Sequence, residues 1–262
     1  MTLRFDLLLF TKNQNCAAEA LVAGVHAIIV DWENRGKPER QRGADTQINF
    51  DTLDDLRRLR RAGIRPLTVR INGFGSHTST EVEEAISSGA DEILLPMVRK
   101  PQEVAKCLHM VNERCKVGIL IETPEAVAAA AELGRFPLSR VYVGLNDLAI
   151  CRKSSSIFEA LVDGTVDGIR PHITTDFGVG GLTLPERGHP IPCRLLAGEL
   201  VRLQCSFSFL RRSFLSDMRG RRMSDEVPRI LQAVEALQSR DATEVSRDRA
   251  AFAAAVREGN SV

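Results

Sequence analysis

Eight short apolar runs alternate along this chain with stretches of helical character. The runs are apolar throughout, which is typical of strands that are buried on both faces. Parallel strands joined by helices, repeated eight times in 262 residues, favour a closed barrel over an open sheet. We therefore predict an α/β protein with the (β/α)8 TIM-barrel fold. The runs occupy residues 3–10, 27–30, 66–69, 92–95, 117–121, 141–145, 177–182 and 206–210.

No low-complexity linker divides the chain, so we predict that residues 1–262 form one domain. Two further helices, 226–238 and 242–258, follow the eighth run, and a closed barrel does not need them. The first of these helices has an apolar stripe at helical spacing, which must be buried somewhere. Residues 224–262 are accordingly predicted to be a C-terminal helical extension.

The charge of the chain is balanced, with 35 Lys and Arg against 34 Asp and Glu. This balance argues against nucleic acid or an anionic membrane as the main partner, because such binders usually carry a basic excess. No apolar run reaches the roughly 18 residues of a spanning helix, and the first residues lack the signal-peptide pattern. The six cysteines contain no pair at the close spacing of a structural zinc site. We expect a cytoplasmic protein with reduced thiols.

Charged residues follow the apolar runs at the points where the predicted strands end. Asp31 and Glu33 follow the second run, Arg70 the third, Glu122 the fifth and Asp147 the sixth. In a parallel barrel these positions share one rim, which is where barrel active sites lie. Burial of five charges is costly unless they hold a cation, an anion or each other. A substrate site is one interpretation, and an ion-pair network such as Arg70 with Asp31 is the other.

Five motifs come in a fixed order at these strand ends, and together they resemble the family of HpcH/HpaI aldolases and citrate lyase β subunits. The matching spacing covers about residues 3–150. The resemblance implies a metal-dependent barrel of the phosphoenolpyruvate/pyruvate type that makes or breaks C–C bonds. The motifs are Asp31-Trp32-Glu33, Val69-Arg70-Ile71-Asn72, Leu95-Pro96-Met97-Val98, Ile121-Glu122-Thr123 and Gly144-Leu145-Asn146-Asp147-Leu148-Ala149.

By this resemblance, Glu122 and Asp147 are the protein ligands of a divalent metal, Mg²⁺ or else Mn²⁺ or Co²⁺. Hard carboxylate oxygens suit such ions, which take one or two carboxylates together with substrate and water. Arg70 would bind the substrate carboxylate, helped by the backbone at Asn146 and Asp147. Asp31 and Glu33 would accept hydrogen bonds from metal-bound water and orient Arg70.

The chain also departs from the family it resembles. After the acidic pair, the aldolase branch of the family has a His and the lyase branch has an Asp. This chain has Asn34 at that position. The general base is therefore not assigned. His77, in the loop after Arg70, could reach the rim or be a solvated loop residue. Lys37 and Arg40 resemble a basic pair in the lyase branch and could bind an anionic substrate or lie in solvent.

Two further clusters carry weaker signals. The glycine group at 178–181 lacks the pattern of a phosphate loop or a dinucleotide site. It is better explained as a strand end that a ligand or a neighbouring group approaches closely. A basic cluster could bind a phosphate or a CoA tail, pair with a partner subunit or lie in solvent. Its members are Arg211, Arg212, Arg219, Arg221 and Arg222.

The combined hypothesis is a divalent-metal-dependent C–C lyase or aldolase. It would act on a 2-oxo acid resembling pyruvate or oxaloacetate, or on an acyl-CoA, through a metal-stabilised enolate. One alternative is a CoA-ester hydrolase or a phosphoenolpyruvate-using enzyme on the same scaffold. Another is a catalytically silent barrel that binds a small acid. C-terminal helices of the resembling family often cross to a neighbouring subunit, so we expect a homo-oligomer, a trimer or hexamer; packing on their own barrel is the alternative.

Overall fold

The computed structural model describes residues 4–40 and 49–259. Within these residues eight parallel strands pair in chain order, and the eighth pairs with the first, which closes the sheet into a barrel. The predicted (β/α)8 TIM-barrel fold is confirmed, and each predicted run overlaps one strand. The strands are β1 (Asp6–Phe10), β2 (Ala27–Asp31), β3 (Leu67–Arg70), β4 (Glu92–Leu95), β5 (Lys116–Ile121), β6 (Arg140–Val143), β7 (Asp176–Val179) and β8 (Phe207–Phe209).

Helices follow the strands. Residues 124–133 form two short helices, which are separated by a turn at Ala129. In the described part of the chain the helices are α1 (Gln14–Ala23), α2 (Lys37–Arg40), α3 (Leu53–Arg61), α4 (Thr78–Ser87), α5 (Pro101–Val111), α6 (Pro124–Ala128), α7 (Ala130–Leu133), α8 (Leu145–Arg152), α9 (Glu159–Val162), α10 (Thr165–Ile169), α11 (Cys193–Arg202), α12 (Phe214–Asp217), α13 (Met223–Gln238) and α14 (Ala242–Glu258).

Apolar side chains pack on both sides of the barrel wall, which explains why the strands are apolar throughout. The larger cluster lies between the strands and the helices. The smaller cluster fills the barrel interior. At the amino ends of the strands a polar layer closes the barrel, where Glu92 accepts hydrogen bonds from Thr68 and Arg140. The interior cluster consists of Leu8, Ala27, Ile29, Leu94, Leu120, Phe207 and Phe209.

The two C-terminal helices pack on their own barrel. Helix α13 contacts α1 and α11, and α14 contacts α11 and α9. The apolar stripe of α13 is buried in these contacts, including Val227, Ile230 and Val234. Phe252 of α14 is also buried and lies edge-on to Phe158. The stripe therefore has its partner within the same chain.

None of the described helices is both long enough and apolar enough to cross a membrane. The six cysteines all lie in the described part and form no disulfide with one another. Cys107 and Cys205 are buried, and burial raises the pKa of each thiol to about 12. These two thiols therefore stay protonated at neutral pH and serve as small apolar side chains.

Candidate active site

The carboxyl ends of the strands surround a cavity of about 530 Å³, and Arg70, Glu122 and Asp147 line it. Arg70 ends β3 and Glu122 directly follows β5. Asp31 and Glu33 lie behind the lining, with 0% and 1% of their surface exposed. The closed barrel thus brings together five charges that are far apart in the sequence.

Arg70 and Asp31 form a two-pronged ion pair across neighbouring strands. The two residues are register partners in the β2–β3 pair. The Nε of Arg70 donates to Oδ1 of Asp31 at 2.8 Å, and its Nη2 donates to Oδ2 at 2.7 Å. Burial alone would raise the pKa of Asp31, but the charges of Arg70 and Lys37 outweigh it and lower that pKa. The ion-pair interpretation of the rim is correct for this pair.

Lys37 is a buried member of the same network. Helix α2 begins at this residue, and its Nζ lies 2.9 Å from Glu33 Oε2 and 3.6 Å from Asp31 Oδ2. Only 3% of its surface is exposed, and it lines the cavity. The alternative that Lys37 is a solvated loop charge is therefore wrong. The side chain of Arg40 lies outside the described part of the structure.

The Glu122 carboxyl has a strongly shifted pKa. Burial, followed by the charges of Asp147 and Glu33, raises the pKa of Glu122 to about 8. Its Oε1 accepts a hydrogen bond from the Met97 backbone N–H at 2.8 Å. Met97 has a positive φ of 52°, a costly conformation for this residue type that aims its N–H at Glu122. At Gly144 a Cβ atom would lie 2.2 Å from Glu122 Oε2, so this position has no room for a side chain.

A divalent cation fits the cluster of six charged residues at this rim by charge and by ligand chemistry. The cluster contains four carboxylates and two cations, so full ionisation leaves two negative charges. Burial is the main cause of the raised pKa of Glu122, and the charges of Asp147 and Glu33 add to it. No group of three or more His, Cys, Asp or Glu in residues 4–40 and 49–259 forms a metal cage. Two carboxylates with open positions suit Mg²⁺, which keeps water and substrate as ligands. The members are Asp31, Glu33, Glu122, Asp147, Lys37 and Arg70.

Asp147 lies in a helix rather than in a loop after a strand. The sequence predicts that the sixth run continues to Leu145, but β6 ends at Val143 and α8 begins at Leu145. Asn146 and Asp147 are consequently in the first turn of α8. Backbone N–H groups in a first turn have no acceptor inside the helix, and they favour anions.

Three aromatic rings form the floor of the cavity. Phe10 lies edge-on to Phe209 at 5.4 Å, and Tyr142 stacks on Phe209 at 3.8 Å. Burial raises the pKa of the Tyr142 phenol, which is therefore a neutral hydroxyl at physiological pH. The sequence analysis did not single out Tyr142. The available signal was its place in β6, where it alternates with Val141 and Val143 and so points to the interior.

Gly180, in the glycine group at 178–181, makes room for Tyr142. A Cβ atom at position 180 would lie 1.6 Å from Tyr142 Oη. We therefore expect Gly180→Ala to destabilise the protein by about 1–3 kcal/mol, the usual cost of overpacking. The cost should be smaller in a Tyr142→Phe background, because that change removes the clashing oxygen.

Urea unfolding of the parent, both single variants and the double variant tests this coupling. Gly168→Ala is a matched control, since a Cβ atom there meets nothing within 4 Å. Gly180→Ala and Tyr142→Phe should show a coupling free energy of about 0.5 kcal/mol or more. Strictly additive costs would mean that the hydroxyl does not restrict position 180.

Neither Asn34, which stands where the family has its His or Asp, nor His77 lines the cavity. Asn34 is half-buried, and its backbone N–H donates to Asn72 Oδ1 at 2.9 Å. The Nε2 atom of His77 lies 3.0 Å from the carbonyl oxygen of Gly73. Among the described residues none of the five histidines lines the cavity. The motif residue Asn72 therefore shapes the loop after β2.

The basic cluster that follows β8 divides into two parts. Arg211 and Arg212 line the cavity. Arg221 pairs with Glu186 at 2.7 Å and with Glu226 at 3.0 Å, which shows a structural role on the surface. Only the first part of the cluster is placed to meet a ligand.

Comparisons with known proteins give a family match and several solved structures with the same fold. Residues 4–155 match the family model described as HpcH/HpaI aldolase/citrate lyase. An HpcH/HpaI aldolase from Desulfitobacterium hafniense superposes with a TM-score of 0.62 at 13% identity, covering 91% of this chain and 95% of that chain. A citrate lyase from Burkholderia xenovorans gives 0.62 at 13% identity, covering 97% and 82%. Citrate synthase SbnG gives 0.56 at 15% identity, covering 83% and 90%. No curated protein matched the sequence.

Proposed function

Because the chain belongs to the HpcH/HpaI aldolase/citrate lyase family, we propose that it is a divalent-metal-dependent C–C lyase that acts on a 2-oxo acid or an acyl-CoA. The observation that carries this proposal is the shared cavity of Arg70, Glu122 and Asp147. It combines a carboxylate-binding guanidinium with two buried carboxylates. Burial and the charges of Asp147 and Glu33 raise the pKa of Glu122 to about 8, and strongly shifted pKa values are concentrated at functional sites.

Glu122 and Asp147 would hold the metal, and the family is generally dependent on a divalent metal. When bound, such an ion acts as a Lewis acid that stabilises negative charge on a substrate oxygen. Met97 positions Glu122 through its N–H, and Gly144 leaves the second carboxylate oxygen space. The chain thus orients this carboxylate before any ligand arrives.

Arg70 binds the substrate carboxylate in this proposal. Asp31 accepts hydrogen bonds from Nε and Nη2 of the guanidinium, which leaves Nη1 as the nitrogen that Asp31 does not bind, and Arg70 lines the cavity. The first-turn N–H groups of α8, at Asn146 and Asp147, would hold the same carboxylate. Lys37, fixed by Glu33, places a further positive charge on the lining. The Tyr142 hydroxyl, a neutral donor on the cavity floor, would hydrogen-bond to a substrate oxygen.

A coupled assay for pyruvate release tests the proposal. The purified chain is incubated with oxaloacetate or a 4-hydroxy-2-oxo acid, with Mg²⁺, Mn²⁺ or Co²⁺ and with EDTA. We expect cleavage that EDTA abolishes and that added metal restores. Spontaneous decarboxylation of oxaloacetate is measured with the Glu122→Gln variant as the matched blank. Absence of cleavage above that blank with every metal would refute a lyase that acts on these 2-oxo acids.

The family resemblance also predicts a homo-oligomer, a trimer or a hexamer. We expect light scattering at micromolar concentration to give three or six times the 28.9 kDa mass of the chain. Truncation after Ser224 should unfold the chain, because it removes the apolar stripe of α13 that packs on α1 and α11. A fully active monomer would contradict the predicted assembly, and a folded truncated chain would contradict the predicted unfolding.

A further inference from the structure

Cleavage of a C–C bond next to a 2-oxo or acyl-CoA carbonyl leaves an enolate, whose carbon must receive a proton before the product departs. The donor of that proton has to lie in the cavity, and it has to give the proton up and regain it in each turnover. Asn34 and His77 do not line the cavity, so neither of them is placed for this role.

Seven ionisable side chains line the cavity in the described part of the chain, and six of them are unsuited to this step. The three arginines keep their protons at any working pH. Glu122 and Asp147 are assigned above to the divalent metal. Burial raises the pKa of the Tyr142 phenol, which makes it a weaker acid than an ordinary tyrosine. Lys37 is the seventh, and a lysine ammonium can act as a general acid.

Lys37 and Arg70 are neighbours through two shared carboxylate oxygens. Oδ2 of Asp31 lies 2.7 Å from Nη2 of Arg70 and 3.6 Å from Nζ of Lys37. Oε2 of Glu33 lies 3.5 Å from Nε of Arg70 and 2.9 Å from the same Nζ. Arg70 binds the substrate carboxylate in the proposed function, and the carbon of a 2-oxo acid that needs the proton is two bonds from that carboxylate carbon. The ammonium of Lys37 is therefore on the side of the cavity where the reacting carbon would lie.

The surroundings of Lys37 suit a group that donates a proton and then recovers it. Only 3% of its surface is exposed, so bulk water has little access to its side chain. An ammonium carries three N–H groups, and the hydrogen bond to Glu33 uses one of them. Glu33 is itself 1% exposed, so loss of the Lys37 charge would leave a buried carboxylate poorly compensated. That cost favours the return of a proton to the amine after each transfer.

We propose that Lys37 is the general acid that protonates the enolate carbon. This role rests on the proposed function, which supplies the enolate. When the C–C bond breaks, its electron pair stays on the substrate as the enolate. The enolate carbon then forms a C–H bond with a proton of Lys37, and the electron pair of the broken N–H bond remains on nitrogen as a neutral amine. Water that enters the cavity returns a proton to the amine, and in the reverse direction the neutral amine removes a proton from the same carbon.

Deuterium exchange into the methyl group of pyruvate or acetyl-CoA tests this role, because the exchange requires proton transfer at the enolate carbon. The full chain is incubated with Mg²⁺ in D₂O, and proton NMR follows the methyl signal. Lys37→Arg keeps a positive charge beside Glu33 but cannot give up a proton at working pH. It should slow the exchange at least about 100-fold, the lower end of the usual contribution of acid–base catalysis. Lys106→Arg, at an exposed position of α5 outside the cavity lining, is the matched control.

Oxalate binding and amine rescue separate proton transfer from charge. Oxalate is a planar mimic of the pyruvate enolate, and calorimetric titration should give the same oxalate affinity for the parent and for Lys37→Arg. Lys37→Ala removes the ammonium and leaves space, so added ethylamine should restore the exchange. Methylguanidine carries the same charge but keeps its proton, so it should restore none of the exchange. This comparison also tests the role if Lys37→Arg does not fold, since arginine is larger than lysine.

Two outcomes would overturn the role of Lys37 while the proposed function stands. One is exchange by Lys37→Arg at the parent rate, and the other is equal rescue of Lys37→Ala by ethylamine and by methylguanidine. Equal rescue would show that Lys37 only neutralises Glu33 and Asp31. A parent that exchanges neither pyruvate nor acetyl-CoA above a blank with EDTA would refute the enolate, and with it both the proposed function and the role of Lys37. Slow exchange in Lys37→Arg, together with rescue of Lys37→Ala by ethylamine alone, would support Lys37 as the acid.

Discussion

Replacing Glu122 by Gln, or Asp147 by Asn, is expected to abolish divalent-metal binding while the barrel stays folded. Each change removes one of two carboxylates from a cluster that fits a divalent ion. Groups that only hydrogen-bond to a metal ligand cost about 10–100-fold in affinity when mutated. Loss of a ligand itself should therefore cost at least about 100-fold in Mg²⁺ or Mn²⁺ affinity, measured by calorimetric titration.

The folded state should tolerate the Glu122→Gln change. The amide oxygen of Gln can still accept the hydrogen bond that Met97 now donates to Glu122. The substitution also removes the repulsion by Asp147 and Glu33 that contributes to the raised pKa of Glu122. Glu125→Gln, three residues along and exposed, is the matched control that removes one charge outside the cavity. Undiminished affinity in both site variants would rule out these ligands.

Arg70→Lys is expected to reduce kcat/KM by about 10–150-fold, which corresponds to about 1.5–3 kcal/mol for a charged hydrogen bond. Lys supplies a point charge without the planar fork. A single ammonium group cannot reproduce both hydrogen bonds to Asp31 and also present a donor pair to a substrate carboxylate. Steady-state kinetics in the pyruvate assay measure this effect.

Stability measurements separate the binding role of Arg70 from its pairing role. Asp31 has no exposed surface, so weakening its partner leaves a poorly compensated buried charge. Asp31→Asn is the comparison, because it removes that charge and keeps Arg70. Trp32, the single tryptophan of the chain, reports unfolding of both variants by fluorescence. Kinetics of Arg70→Lys like those of the parent, together with lowered stability, would show that Arg70 only neutralises Asp31.

The strands were predictable because their burial on two faces requires a recognisable composition. The fourth run, 92–95, coincides with β4, whereas the first and seventh runs are longer than β1 and β7. Strand ends depend on pairing with neighbours, which composition does not contain. Helix α8 shows the same limit, since Leu145 is apolar enough to extend a strand but begins a helix.

Candidate site residues were predictable to the extent that they interrupt apolar runs. Arg70 and Glu122 are visible in this way, since a charge directly after a buried strand must lie at the barrel rim. Tyr142 resembles a core residue in the sequence, where its alternation with Val141 and Val143 indicates only that it points inward. The structure shows that it stacks on Phe209 and lines the cavity. Lys37 resembles a loop residue, and only the fold of α2 shows that it is buried beside Glu33.

The sequence by itself determined the barrel, the order of its strands and the rim at which charges meet. These follow from local rules, because strand burial and helix alternation depend on residues close together in the chain. Tertiary structure alone decided which charges neutralise each other: Asp31 pairs with Arg70, and Glu33 pairs with Lys37. Such pairing depends on distances of a few ångströms between strands that are far apart in sequence, and Coulomb energies and desolvation costs change steeply over those distances.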